Sequence, residues 1–231
     1  DINNLMQIDA GLGQVVATDT SQIPYYLVGD KWIHLPGSLK HITVGPAGIW
    51  VLTDMCSLFA CPSVCLSLWS SGLLNQLDAG GDQFVVGVNM DDTPYCLTSS
   101  ATVGYKGPDS PIPWTGLPGS VKYYSCGPFG CWAVNKNDDI FLMSVRSGKE
   151  CESWSKGWSH IEGKLSMIEV ATDSSVFGVN SAGSLEKCNH SHIHTWSYGC
   201  KDSTIKKNKK NVTCFFKAIH CLFTITLFTN N

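Results

Sequence analysis

The chain holds 231 residues, with 16 Lys and Arg against 19 Asp and Glu, a net charge of −3, 43% apolar residues and only 15% charged ones. That balance excludes the basic face a nucleic-acid binder needs, and a length of this order supports one large core, since all-β domains of such size commonly stay single. With 22 glycines and 8 tryptophans beside so little charge, short strands and tight turns are favoured over helices.

The chain opens DINNLMQIDAG, without the basic and apolar stretches of a secretory leader, and a mature secreted chain is the expectation. A seven-residue pattern then recurs: LMQIDAG from Leu5, LKHITVG from Leu39, LNQLDAG from Leu74, VKYYSCG from Val121 and LSMIEVA from Leu165, spaced 34, 35, 47 and 44 residues apart. Around the second and fourth copies, LPGSLKHITVGPAGIWVL and LPGSVKYYSCGPFGCWAV share nine of eighteen positions. After each copy an apolar run closes on a polar turn residue: Asp19, Thr53, Asn89, Asn135 or Asn180. Six residues later four copies carry an aromatic: Tyr25, Phe59, Tyr95 and Phe141. Glycines 37, 72, 119 and 163 precede four copies, and three of those glycines follow Trp-x-x-(Leu/Ile) segments beginning at Trp32, Trp114 and Trp158.

Short runs of β-branched and aromatic residues between Gly, Pro, Asn and Asp turns are antiparallel strands. Three or four strands per repeat make one small sheet that cannot bury both faces alone, whereas radial stacking against its neighbours can bury them. The fold class predicted is therefore all-β, a β-propeller, against the alternative of a β-sandwich with incidental similarity.

Eleven cysteines point to an oxidising compartment, and the odd count leaves at least one unpaired or intermolecular. No C-x-x-C pair is present, which removes the main support for zinc-ribbon and thioredoxin readings. The turns Gly45-Pro46-Ala47-Gly48 and Gly127-Pro128-Phe129-Gly130 should each join two strands, placing Cys126 opposite Cys131 where a structural disulfide can form. Cys56, Cys61 and Cys65 share an inter-repeat loop, where one local bridge is expected, with Cys56 and Cys61 as the candidates. Asn189 and Asn211 each head a glycosylation sequon.

The segments LPGSLKHITVGPAG, NQLDAGGDQFVVGVNMDD, KYYSCGPFGCWAVNKNDDIFLM and LSMIEVATDSSVFGVNSAGSL resemble the tectonin repeat, and most closely that of the fish egg lectin group. The resemblance covers residues 1–185 and implies a six-bladed propeller that is extracellular and catalyses nothing. It implies as partners glycans with terminal N-acetylglucosamine on microbial or egg surfaces, a role in egg or innate-immune recognition, no cofactor, and a homodimer as an allowed assembly. Residues 186–231 depart from the pattern: Glu186 stands where the aromatic should be, and no sixth copy begins near residue 205. Ring closure would then need one terminus to complete a blade begun by the other, because no Trp-x-x-Leu segment precedes the first copy. The apolar run CFFKAIHCLFTITLF is shorter than the roughly twenty residues a membrane helix needs and contains Lys217 and His220, so no membrane span is expected.

A sugar site needs an aromatic face for the pyranose and fixed polar groups for its hydroxyls. The polar turns offer Asn89, Asp91, Asp92, Asn135, Asn137, Asp138 and Asn180 for the second purpose, although Asn and Asp also suit hairpin turns for conformational reasons alone. Trp32, Trp114 and Trp158 offer the first, although a tryptophan recurring once per repeat also suits packing between blades. His190, His192 and His194 alternate so as to share one strand face, a candidate zinc or copper site in the departed region. No Ser-His-Asp arrangement, repeated carboxylate pair or metal triad in the repeats supports an enzyme; the competing function is a protein-binding scaffold of an extracellular coat.

Overall fold

A computed structural model of the chain describes residues 4–53, 58–61, 74–104, 112–128, 130–145, 151, 157–171, 173, 175–190 and 198–202. The repeats fold as successive antiparallel meanders. The first comprises β1 (Leu5–Gly11), β2 (Gln14–Asp19), β3 (Pro24–Val28) and β4 (Lys31–His34); the second β5 (His41–Gly45), β6 (Gly48–Leu52) and β7 (Leu58–Cys61). The third contains β8 (Leu74–Asp78), β9 (Val85–Asn89), β10 (Pro94–Leu97), a short helix α1 (Ser99–Gly104) and β11 (Thr115–Gly116). The fourth is β12 (Tyr123–Gly127), β13 (Gly130–Val134), β14 (Asp139–Ser144) and β15 (Ser159–Lys164); the fifth β16 (Met167–Val170), β17 (Val176–Val179), β18 (Leu185–His190) and β19 (Tyr198–Asp202).

These strands form four sheets of four, three, four and eight strands, the largest joining the fourth and fifth units through one parallel pairing, Glu162 with Gly199. The architecture is a β-propeller; the six-bladed ring implied by the resemblance reaches beyond the described residues. Two details differ from the sequence expectation. The Trp-x-x-Leu segment is the last strand of the unit it ends, as β4 shows, so the first unit has its four strands from its own repeat. The fifth unit runs past residue 185, because β18 and β19 supply its outer strands.

Apolar clusters lie between consecutive units. Val16 of the first packs with Ile42, Val44 and Val51 of the second; Trp50 and Leu52 of the second with Leu77 and Val85 of the third. Phe84, Val86 and Val88 of the third meet Tyr124 and Ala133 of the fourth, and Trp132 and Ile140 of the fourth meet Ile168 and Val176 of the fifth. Stacking thus buries what a single meander would expose.

The recurring seven-residue pattern is the innermost strand of each unit, and each such strand is a sheet edge. An edge strand carries outward N–H groups that need partners once buried. The fifth position of the pattern supplies them. Asp9 Oδ2 accepts the Val44 N–H at 2.9 Å, Thr43 Oγ1 the Ala79 N–H at 2.9 Å, Asp78 Oδ1 the Cys126 N–H at 3.0 Å, and Ser125 Oγ the Val170 N–H at 3.0 Å. Each fifth-position side chain therefore bonds the sixth-position backbone of the next unit. The third position adds to this where it is glutamine. Gln7 accepts from Ile42 N–H and donates to Ile42 C=O, and Gln76 donates to Tyr124 C=O at 2.8 Å.

The seventh-position glycine follows from the same contact. A Cβ on Gly11 would overlap the carbonyl oxygen of Val44, one on Gly45 that of Ala79, and one on Gly80 would sit 2.5 Å from that of Cys126. We expect Gly80→Ala to cost roughly 2 kcal/mol or more, the scale of core overpacking, while Gly104→Ala, whose Cβ meets nothing within 4 Å, stays near neutral. Chemical denaturation of both variants checks the contrast.

Candidate functional site

The turn between the second and third strands repeats its geometry in four units. Asn89 Oδ1 accepts the N–H groups of Asp91 (3.0 Å) and Thr93 (2.8 Å). Asn135 does the same for Asn137 and Asp139, both at 2.9 Å, and Asn180 for Ala182 (3.0 Å) and Ser184 (2.9 Å). Asp19 fills the role in the first unit, bonding Ser21 and Ile23 at 2.9 Å each. The residue three further on is left-handed: Gln22 (φ 64°), Asp92 (60°), Asp138 (65°) and Gly183 (77°). Asn, Asp and Gly tolerate that region, which explains most of these choices. In three units this residue's carbonyl also accepts the first N–H of the next repeat, Gln22 from Leu39, Asp92 from Val121 and Asp138 from Leu165. The turn oxygens are thus committed to shaping the hairpin and to attaching the following unit. The exposed groups left at these turns include Asp91 and Asn137.

Trp32 packs on Ile8, Val15 and Ala17, and Trp114 on the cluster around Trp50 and Leu77. Trp158 packs on the third interface, donates its indole N–H to Pro118 C=O at 3.1 Å and meets Tyr124 edge-on at 5.5 Å. All three are half-buried, Trp32 against strands of its own unit and Trp114 and Trp158 in clusters shared with a neighbouring unit.

The aromatics that recur on the third strand occupy a different place. Tyr25 and Phe141 are half-buried, and each lies beside an exposed histidine of the fourth strand: Tyr25 with His34 at 5.9 Å and Phe141 with His160 at 5.6 Å. The row Ala133–Phe141–His160 follows from strand register and lies on the side of the fourth unit that packs against the third. The first unit repeats the row as Ala17–Tyr25–His34, and the third has Gly87–Tyr95–Gly116. Fixed polar groups stand close by. The Tyr25 hydroxyl donates to Asp19 Oδ2 at 3.1 Å, and burial followed by this bond raises the phenol above its usual range. Lys164 Nζ bonds Asp139 Oδ1 at 2.6 Å and Asn137 C=O at 3.0 Å, and that bond holds the Asp139 carboxyl below the usual range. A half-exposed ring beside imidazole, carboxylate and ammonium groups can stack on a pyranose and read its hydroxyls. Sequence reading named the aromatics only as repeat markers and missed His34, His160 and Lys164. The signal available was Trp-x-His, present at Trp32–His34 and Trp158–His160.

Cys126 and Cys131 face each other across the hairpin and form a disulfide with a Cα–Cα distance of 4.0 Å. A second disulfide, Cys96–Cys151, ties the third unit to the loop between β14 and β15. Cys188 is also disulfide-bonded, and its backbone partner in the ladder is Cys200. Cys56, His192, His194 and Asn211 lie outside the described residues, as do the side chains of Cys61, Asn189 and His190. Among the described residues no cluster of three or more His, Cys, Asp or Glu is arranged to hold a metal ion, and no helix is long and apolar enough to cross a membrane.

A propeller of short meanders stapled at the axis, with pinned turns and ring–histidine pairs between third and fourth strands, defines a repeat-built β-propeller scaffold. The tectonin domain model matches residues 4–212, and the chain belongs to the tectonin family. It is 56% identical over 110 residues to the fish-egg lectin of Cyprinus carpio, a match spanning 48% of this chain and 45% of that protein, so the chain matches less than half the length of this relative. Among solved structures it is similar to human WBSCR16, with a TM-score of 0.55 and 13% identity over 80% of this chain and 62% of that one. The β-propeller domain of Cps50 (Swd1) from Myceliophteria thermophila gives a TM-score of 0.54 and 6% identity over 84% of this chain and 69% of that one. At such identities the two structures speak for the fold alone.

Asn89→Ala removes both turn bonds from its hairpin. We expect a loss of about 1–2 kcal/mol, read from a denaturant midpoint, with the far-ultraviolet circular dichroism of the folded protein unchanged.

Proposed function

We propose that this chain is a secreted, non-catalytic lectin recognising glycans of the N-acetylglucosamine type, serving egg or innate-immune recognition of microbial surfaces. The observation that carries this reading is the 56% identity to the carp fish-egg lectin. The disulfides Cys96–Cys151 and Cys126–Cys131 fit an oxidising, extracellular setting. The site proposed is the blade groove beside Phe141 and His160, with Asp139 and Lys164 as its fixed polar groups, and its counterpart beside Tyr25 and His34. Exposed Asn137 stands at the turn beside the first groove, where its carbonyl accepts from Lys164, and exposed Asp91 at the corresponding turn of the third unit, whereas Asn89, Asn135 and Asn180 shape their turns. Several similar shallow sites on one propeller multiply weak single-site affinity on a surface, and a homodimer would double their number.

Retention on immobilised N-acetylglucosamine with elution by the free sugar tests the reading. The expected outcome is specific elution, with Phe141→Ala and Tyr25→Ala each weakening retention several-fold and the double variant abolishing it. A folded, monodisperse chain that ignores the sugar would favour a protein-binding scaffold instead.

A further inference from the structure

Three fifth-position residues on consecutive inner strands come together at the axis. Ser125 Oγ lies 3.1 Å from Asp78 Oδ2 and 3.0 Å from Glu169 Oε1, while it also accepts the Val170 N–H at 3.0 Å. A hydroxyl has one proton to give and two lone pairs to fill. One lone pair holds the Val170 N–H, and the single proton serves one carboxyl oxygen. The remaining carboxyl satisfies its contact only by bringing a proton of its own and donating it to the second lone pair. Otherwise two oxygens touch with no hydrogen between them.

The surroundings say which carboxyl carries that proton. Asp78 Oδ1 also accepts N–H groups from Cys126 at 3.0 Å and Gly80 at 3.1 Å, so of the two carboxyls its charged form is the better held. Glu169 accepts no backbone N–H: its other oxygen takes the Tyr123 hydroxyl at 3.4 Å, and its contact with the Asp78 carboxyl favours its protonated form. We propose that Glu169 donates to Ser125, which donates to Asp78, so that one shared proton fastens the third, fourth and fifth units at the axis and its release at rising pH loosens them.

The electrostatics run the same way. Burial, then the charges of Asp9 and Asp78, raises Glu169 well above the carboxylate range. Burial, then Asp9, pushes Asp78 up to about 7. Around this cluster β1 contributes Asp9, itself raised by burial, and β12 contributes Tyr123 and Tyr124, both raised well above the usual phenol range and neutral. On β5, Thr43 carries no charge and His41 is held neutral, its pKa lowered by burial to about 3. The groups that titrate near neutrality are therefore carboxyls. Because their folded pKa values exceed the unfolded ones, the folded state binds the extra protons. The stabilisation they give is complete at acid pH and is lost as pH rises through about 7 for Asp78, and higher for Glu169.

The test is the thermal midpoint of the full chain between about pH 6 and about pH 8.5, for the wild type and for Glu169→Gln, whose amide N–H donates to Ser125 at every pH. The wild-type midpoint should fall by about 5 °C across this interval, and in Glu169→Gln the fall should shrink to less than half. A wild-type midpoint that is flat or rising, or an equal fall in Glu169→Gln, overturns the proposal. Should the variant not fold, the infrared carbonyl band of a neutral carboxylic acid decides on wild-type protein. It should be present in the folded chain at neutral pH and shift in Ser125→Ala; its absence, or its indifference to Ser125→Ala, overturns the proposal equally.

Discussion

The bond from a polar side chain of one inner strand to the backbone N–H of the next is the contact on which this propeller depends. Each inner strand is a sheet edge, and its sixth-position residue, whose N–H points outward and needs a partner, is buried against the preceding unit. Asp9, Thr43, Asp78 and Ser125 fill that need in turn, with a carboxylate or a hydroxyl oxygen placed at the same point. An aspartate, a threonine and a serine are interchangeable here because the position asks only for an acceptor oxygen on a short stem. Where that oxygen belongs to a carboxyl, it brings a charge into a confined centre, and protons must be shared to tolerate it.

The rest of the unit is organised outward from this contact. Close approach of the next backbone demands glycine at the seventh position, and the apolar residues on either side of the staple bury themselves between units. At the far end of the second strand, the Asn or Asp turn makes a second attachment, offering a left-handed carbonyl to the first N–H of the following repeat. At three of the four junctions, two attachments fix the angle between neighbours. Farther from the axis lie the half-buried rings of Phe141 and Tyr25, each beside an exposed histidine.

Much of this was legible in the chain. The periodic Leu-x-x-Ile-x-x-Gly marks the inner strand, and the Gly-Pro-x-Gly turns give the register that sets Val44 opposite Ile49 and Cys126 opposite Cys131. The staple was legible in principle, since Asp9, Thr43, Asp78, Ser125 and Glu169 align as polar residues inside apolar strands. It went unread because the repeat was defined by what recurs identically, whereas the staple keeps an acceptor atom across three residue types. The turn asparagines were read as sugar contacts alongside a conformational alternative, and their side-chain oxygens are occupied by backbone N–H groups. The ring–histidine pairs could not be read from local pattern, because Phe141 and His160 are brought together only by strand register. Where the fifth unit ends was hidden for a similar reason: Glu186 replaces the aromatic marker, yet β18 still pairs with β17 through its backbone.

Native-state amide hydrogen exchange tests the central claim most directly, because the four sixth-position amides point away from their own ladders. If the staples hold the units together, the amides of Val44, Ala79, Cys126 and Val170 exchange only through global opening, orders of magnitude more slowly than the amides of the exposed turn residues Met90 and Lys136. Exchange of those four at the rate of the turns, while the strands around them stay protected, would contradict the account.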